Sequence, residues 1–240
     1  MEYQNKDLKY IDAAAYDKRG EFSILEKYVL ELWQPFLKNK VYKLSASKII
    51  ADLGCGTGEY TQAATAALKI YAVDNSEAML QVCRAKLNNL KQAEIINDSV
   101  LAVNLPPLDL VITIGVWEYI DPRDLYKKIT EITRQGSKVV VVFPNIYNDL
   151  NWIRSIAKMS PFGGSPEGGK KIALRPGFIK KIFKSDFKLI ESASFGNVSF
   201  VPKRMQFLAL TVWKFCDWLW APFQKFLPLG INVYYLFERK

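Results

Sequence analysis

IIADLGCGTGEY, residues 49–60, decides the reading of this chain. An apolar run ends in Asp52, the glycines Gly54, Gly56 and Gly58 follow at alternate positions, and a helix-like stretch begins. Glycine lets a chain turn sharply and lets a ligand approach its backbone. A nicotinamide-type fingerprint needs glycine or alanine where Glu59 stands, and a phosphate-cradling loop needs Gly-Lys-Ser/Thr, which is absent. An acid just ahead of the glycines suits a cationic ligand better than a pyrophosphate. A tight strand-to-helix turn with no ligand is the plainer alternative for the glycines alone.

A second signal weighs against that alternative. Lys69–Asp74 reads as a strand ending in an acid, followed by Asn75, Ser76 and Met79. Asp74 lies 20 positions after Gly54, which sets a carboxylate at the end of the neighbouring strand, able to accept two ribose hydroxyls. Ser76 is available to cap the next helix, leaving Asp74 for the ligand.

Outward from these stretches, short apolar runs alternate with helical patterns. Lys48–Leu53, Lys69–Asp74, Ala93–Asn97, Leu108–Ile114 and Lys138–Phe143 are strand-like, with helices expected near 58–67, 76–90 and 122–134. This alternation predicts a parallel sheet covered on both faces. Phe22, Leu25, Val29, Leu32, Trp33 and Phe36 recur at helical spacing, giving an entry helix over 22–39. After an irregular stretch at 145–175, including PFGGSPEGGKK, a helix is expected behind Pro176, and Phe187–Ser194 and Asn232–Glu238 read as two late strands.

Together these motifs resemble the class I (Rossmann-like) S-adenosylmethionine-dependent methyltransferase family. ADLGCGTG looks like its first motif and YAVDNSEAML like its second. Asn97-Asp98-Ser99 looks like its adenine-binding acid, and LDLVITIGVWEYID like its fourth-strand motif. The resemblance implies an α/β fold: a seven-stranded, mostly parallel sheet ending in an antiparallel hairpin. It implies S-adenosyl-L-methionine as cofactor. By analogy Asp52, Gly54, Gly56 and Gly58 hold the methionine end, Asp74 the ribose and Asp98 the adenine amine, with Cys55, Asn75, Met79 and Ser99 as further cofactor-binding candidates; Cys55, inside the loop, equally suits packing. Ile114 and Gly115 form the wall beside the sulfonium. Tyr119 stands where the family often has histidine, and no acid lies within 112–117, so no metal is expected.

Composition narrows the chemistry. The chain has no histidine, which excludes Ser-His-Asp triads, Cys-His dyads, HExxH zinc sites and histidine bases. Cys55, Cys83 and Cys216 lie far apart, form no C-x-x-C pair and fit a reducing cytoplasm. The polar N-terminus has no signal-peptide core. The net charge of +9 attracts anions, whether nucleic acid, anionic lipid or acidic substrate, although a basic surface also serves solubility alone. Asn104-Leu105-Pro106-Pro107-Leu108 looks like the clamp of amino-methylating nucleic-acid enzymes but precedes the fourth strand instead of following it, so nucleic acid is not the expected partner.

Glu118, Tyr119 and Tyr16 are the catalytic candidates on the acceptor side. Asp121, ahead of Pro122, is equally suited to capping a helix. Residues 203–228, KRMQFLALTVWKFCDWLWAPFQKFLP, carry Trp213, Trp218 and Trp220, with Lys214, Asp217 and Lys225 interrupting and Pro222 breaking the run. No uncharged stretch there is long enough to span a bilayer. A lid over an apolar acceptor, a contact with an anionic membrane, a dimer contact and an added core layer all remain open for this insertion.

The expectation is one domain over 1–240, with a helical cap (1–44), a cofactor-binding core (45–145) and an acceptor side (145–240) carrying an insertion at 200–229. The expected activity is methylation, chiefly on oxygen, of a small or lipid-like acceptor with an apolar part. An RNA or protein methyltransferase and a non-catalytic cofactor-binding module are the alternatives. The expected place is the cytoplasm, with peripheral membrane contact.

Overall fold

Strand β5 (Thr133–Pro144) shows how the sheet is built. Its residues alternate between two apolar layers: Val139, Val141 and Phe143 pack on one face, Val140 and Val142 on the other. The two-residue period of a strand makes this separation, and an unbroken apolar run buries both faces. The same alternation holds in β1 (Ile49–Leu53) and β7 (Asn232–Arg239), and in β4 (Leu108–Ile114) from Leu110 onward, past a register shift at its start. The computed structural model describes residues 13–18, 21, 24–148, 174–196, 206–223 and 228–240.

With β2 (Lys69–Asp74), β3 (Ala93–Asn97) and β6 (Phe187–Phe195), these strands form one seven-stranded sheet in the order β3-β2-β1-β4-β5-β7-β6. The first five are parallel, and β7 inserts antiparallel between β5 and β6. This is the expected Rossmann-like sheet with its final antiparallel hairpin. The order reverses between β1 and β4, and in such sheets the crevice beyond the strands' carboxyl ends at that point receives ligands.

Two layers of helices cover the faces. On one, α4 (Pro122–Ile132) and α5 (Pro176–Phe183) supply Leu125, Ile129, Ile179 and Phe183. On the other, α2 (Ile24–Ser45) supplies Trp33, Leu37 and Val41. The short α1 (Ala13–Asp17) lies before α2, and α3 (Glu77–Leu87) follows β2. Ser76 caps α3, its hydroxyl accepting from Met79 N–H, and Asp121 caps α4, accepting from Arg123 N–H. Asp121 thus carries the capping duty that competed with a catalytic one.

The helix expected near 58–67 is a correction. Only a single 3₁₀ turn, Thr61–Ala63, stands there. The chain must return along the height of a five-residue strand, roughly 17 Å, and then enter β2. Ten α-helical residues climb only about 15 Å and leave none for turning. A tighter, steeper 3₁₀ turn with extended flanks covers the distance.

The Trp-rich insertion forms α6 (Gln206–Trp220) and a short 3₁₀ turn, Ala221–Phe223, between β6 and β7. One side of α6 packs on α2. Trp213, 2% exposed, stacks on Tyr28 with ring centroids 6.2 Å apart, amid Leu25, Val29 and Ile231. Tyr28 Oη donates to Asp217 Oδ2 at 2.6 Å, and burial, then this hydrogen bond, raises the Tyr28 phenol well above its ordinary range. Most of the 145–175 stretch, including PFGGSPEGGKK, and Lys203, Arg204 and Lys225 lie outside the described residues.

Candidate active site

The glycine loop bridges the first two strands: the N–H groups of Gly54 and Cys55 both donate to Val73 O, at 2.7 and 3.0 Å. Its three glycines serve different ends. A Cβ on Gly54 would meet Val116 Cγ2 at 2.3 Å, and one on Gly58 would meet Cys83 Sγ at 2.9 Å, so both are small because neighbours pack against them. Gly56, at φ +54, meets nothing within 4 Å; here the left-handed backbone turns an open side outward. Cys55 and Cys83 are buried and in contact, and the Cys83 hydrogen bond with burial raises the Cys55 thiol well above its ordinary range. Both are packing residues, and the Cys55 thiolate is suppressed.

Two buried acids flank the loop. Asp52, 3% exposed, accepts from Thr61 Oγ1 at 2.6 Å. Burial pushes its carboxyl up to about 7; the Thr61 hydrogen bond opposes the rise and the charge of Asp74 adds to it. Asp74 accepts from Gly56 N–H through Oδ2 at 2.8 Å and from Ser76 N–H through Oδ1 at 2.9 Å. Burial raises its carboxyl against the pull of these backbone donors. Asp74 is therefore not left wholly to a ligand, because it also ties the glycine loop to the start of α3. Each of its oxygens keeps a second lone pair for a hydroxyl. Met79 is buried and Asn75 exposed beside it.

Asp98 follows β3; its N–H donates to Asp74 O at 3.2 Å, and its Oδ1 accepts from Ser99 N–H at 2.7 Å. At the end of β4, Ile114 is half-buried and Gly115 exposed, with Gly115 N–H donating to Val142 O at 3.3 Å. A Cβ on Gly115 would meet only Glu118 Oε1 within 4 Å, at 3.9 Å. Glu118 and Tyr119 are half-buried in the turn that follows. Trp117, just before them, is core: fully buried, it donates through Nε1 to Thr113 Oγ1 at 2.9 Å.

An ionic cluster holds the N-terminal cap against this site. Thr57 Oγ1 donates to Asp17 Oδ1 at 2.6 Å. Lys86 Nζ lies 2.7 Å from both Asp17 Oδ2 and Glu59 Oε2, and Lys38 Nζ lies 2.5 Å from Glu59 Oε1. Burial works against the Glu59 charge, but the two lysines hold its carboxyl below the ordinary range. Tyr16, half-buried on α1, is brought to the loop by its neighbour Asp17. Thr57, Thr61 and Lys86 were not singled out from the sequence, and Glu59 only as the residue that breaks a nicotinamide-type fingerprint. Lys86 and Asp17 are 69 positions apart, and no local pattern pairs them.

The sequence-predicted residues thus gather along the carboxyl ends of β1 to β4. The donor set fits S-adenosylmethionine. Two buried acids favour a ligand that carries positive charge, the open face of Gly56 admits close backbone contact, and Asp74 can accept from a diol. Among the described residues, no group of three or more His, Cys, Asp or Glu side chains could hold a metal ion.

Residues 50–136 match the family model described as a methyltransferase domain. No curated protein matches the chain. Among solved structures, magnesium protoporphyrin IX methyltransferase of Synechocystis PCC 6803, with bound S-adenosylhomocysteine, is similar at TM-score 0.65 and 13% identity, with 96% of each chain covered. The N-methyltransferase NodS of Bradyrhizobium japonicum is similar at TM-score 0.56 and 11% identity, with 85% of each covered. An S-adenosylmethionine-dependent methyltransferase of Mesorhizobium loti is similar at TM-score 0.59 and 15% identity, covering 86% of this chain and 96% of that one. At such identities these likenesses concern the fold, while the family match falls on the glycine loop, both flanking acids and the fourth strand. Residues 50–136 of this chain thus match a methyltransferase domain, set in a fold shared with these S-adenosylmethionine-dependent methyltransferases.

Proposed function

We propose that the whole chain, acting as one domain, transfers a methyl group from S-adenosylmethionine to oxygen on a small or lipid-like acceptor with an apolar part. The observation that supports this reading is the end of β4, where a Cβ on Gly115 would meet only Glu118 Oε1 within 4 Å, at 3.9 Å, so the backbone there has a carboxylate as its near neighbour. Bound at the glycine loop, S-adenosylmethionine supplies an electrophilic methyl on a good leaving group, so the protein mainly aligns, excludes water and manages a proton. Asp52 and the backbone at Gly54, Cys55, Gly56 and Gly58 hold the methionine end. Asp74, with Asn75 and Met79, holds the ribose side; Asp98 and Ser99 hold the adenine amine. Ile114 and Gly115 wall the sulfonium, and Tyr16 and Tyr119 close the acceptor side.

Methylation of a hydroxyl breaks the sulfur–methyl bond, forms an oxygen–methyl bond and releases the hydroxyl proton. Glu118 accepts that proton; a carboxylate acceptor would need no base. The scattered cysteines, with no C-x-x-C pair, support a cytoplasmic enzyme. No described helix is long and apolar enough to cross a membrane, which supports contact at a membrane surface over insertion through it.

The test is incubation of the full chain with methyl-labelled S-adenosylmethionine and a cell extract, followed by separation of organic-soluble metabolites, RNA and protein. Label in an organic-soluble product, lost in Glu118→Gln, is expected. Label in RNA or protein would replace the reading with a macromolecular acceptor. Failure to bind S-adenosylmethionine would reduce the chain to a non-catalytic relative.

A further inference from the structure

One side of α6 is packed and the other is bare. At 3.6 residues per turn, Gln206, Ala209, Leu210, Trp213 and Asp217 share the arc that meets α2. The opposite arc presents Phe207, Leu208, Val212, Phe215, Trp218 and Leu219, all exposed, with Phe207 at 73% and Trp218 at 72%. Monomer surfaces scatter apolar side chains singly; a contiguous strip of six on one helix marks a contact surface. A solvated helix would carry its charged residues there, whereas this one has Lys214 alone at the strip's edge.

We infer that the outward face of α6 docks on an anionic lipid bilayer, lying in the interface parallel to the membrane plane. Charge decides the occupant. Residues 200–229 hold one acid, Asp217, and it is turned inward to accept from Tyr28 Oη. Lys214 is exposed, Lys203 and Arg204 precede the helix in sequence, Lys225 follows it, and the chain carries +9 overall. Cations around an apolar strip are drawn to anionic headgroups while Trp and Phe enter the headgroup–acyl boundary. A second copy of this chain, its helix paired antiparallel face to face, would instead bring the two mid-helix Lys214 side chains toward each other. The helix is too short to span: 15 residues rise about 22 Å against a hydrocarbon core of about 30 Å.

Topology sets the bilayer beside the site. The chain enters the α6 segment after Phe195 and leaves it at Asn232; these two pair, and Asn232 also pairs with Pro144 at the carboxyl end of β5. The segment therefore emerges from the same end of the sheet as the cofactor loop. Docking there delivers the acceptor mouth to the membrane surface, which deepens the lipid-like reading of the acceptor and rests on it for its purpose. The docking itself needs neither acceptor nor cofactor.

The experiment is flotation of the full chain with phosphatidylcholine vesicles made with and without phosphatidylglycerol, at low and high salt. The wild type should float with the anionic vesicles only, and less at high salt. Phe215→Ser/Trp218→Ser/Leu219→Ser should lower vesicle partitioning by at least about tenfold while keeping its calorimetric affinity for S-adenosylmethionine. Lys214→Glu, a single exposed change, should lower it severalfold and serves if the triple variant does not fold. Wild type that fails to float, or Lys214→Glu that floats as wild type does, overturns the proposal. A dimer in light scattering that these variants dissolve assigns the face to a second copy and overturns it as well. Flotation without methyl transfer would leave the docking intact and remove the acceptor reading, so the two fail separately.

Discussion

Asp52→Asn should stabilise the cofactor-free protein at about pH 8 and change it little at about pH 4. The carboxyl is buried beneath the glycine loop and titrates at about 7 instead of 3.8. At about 1.4 kcal/mol per pH unit, that gap is worth about 4 kcal/mol. The native state binds this proton more tightly than the unfolded chain does. The Asp52 contribution is therefore fully present below about pH 4 and is lost as pH rises to about 7. Asparagine keeps an oxygen to accept from Thr61 Oγ1 and carries no charge, so the stability gap between variant and wild type should open across that window. Urea denaturation at both ends measures it directly. The opposite sign is expected for the cofactor: wild-type affinity for S-adenosylmethionine should climb between about pH 6 and 8 as Asp52 ionises, and the variant should bind weakly with a flat profile. A stability gap equal at both pH values, or a variant less stable at about pH 8, would refute the account of Asp52 as a buried charge awaiting a cation.

Asp74→Ala should weaken calorimetric affinity for S-adenosylmethionine by about 1.5–3 kcal/mol, the worth of a hydrogen bond to a charged group. Unchanged affinity would remove Asp74 from the ribose. Trp213→Ala should cost about 3–5 kcal/mol of stability by thermal or chemical unfolding, because Trp213 is buried against Tyr28. The exposed Trp218, changed to alanine, should cost almost nothing; equal losses at the two positions would mean that the packing of α6 on α2 has been misread.

Much of the fold was legible because its signals are local. A buried parallel strand must be apolar on both faces, so β1, β2, β4 and the body of β5 stand out as short unbroken runs. The glycine loop is equally local. Gly54 and Gly58 are forced by Val116 and Cys83, and Gly56 by its open left-handed backbone. Ser76 and Asp121 announce the starts of α3 and α4 because a cap acts within three residues of itself.

What the tertiary structure alone decided involves distance in the chain or competition for one group. The length of a return path, and not helix propensity, reduced the expected helix at 58–67 to one 3₁₀ turn. Asp74 was legible as an acid at a strand end, yet its duty to Gly56 N–H arises only when two loops meet. The cluster of Asp17, Thr57, Glu59 and Lys86 joins α1, the glycine loop and α3, and each member alone is an ordinary surface charge or hydroxyl. The Trp-rich segment is apolar nearly all round its helical wheel, so sequence could not divide core from contact surface. Packing against Tyr28 divides them: Trp213 goes inward and Trp218 outward, because α2 offers a partner to one side of α6 and leaves the other bare.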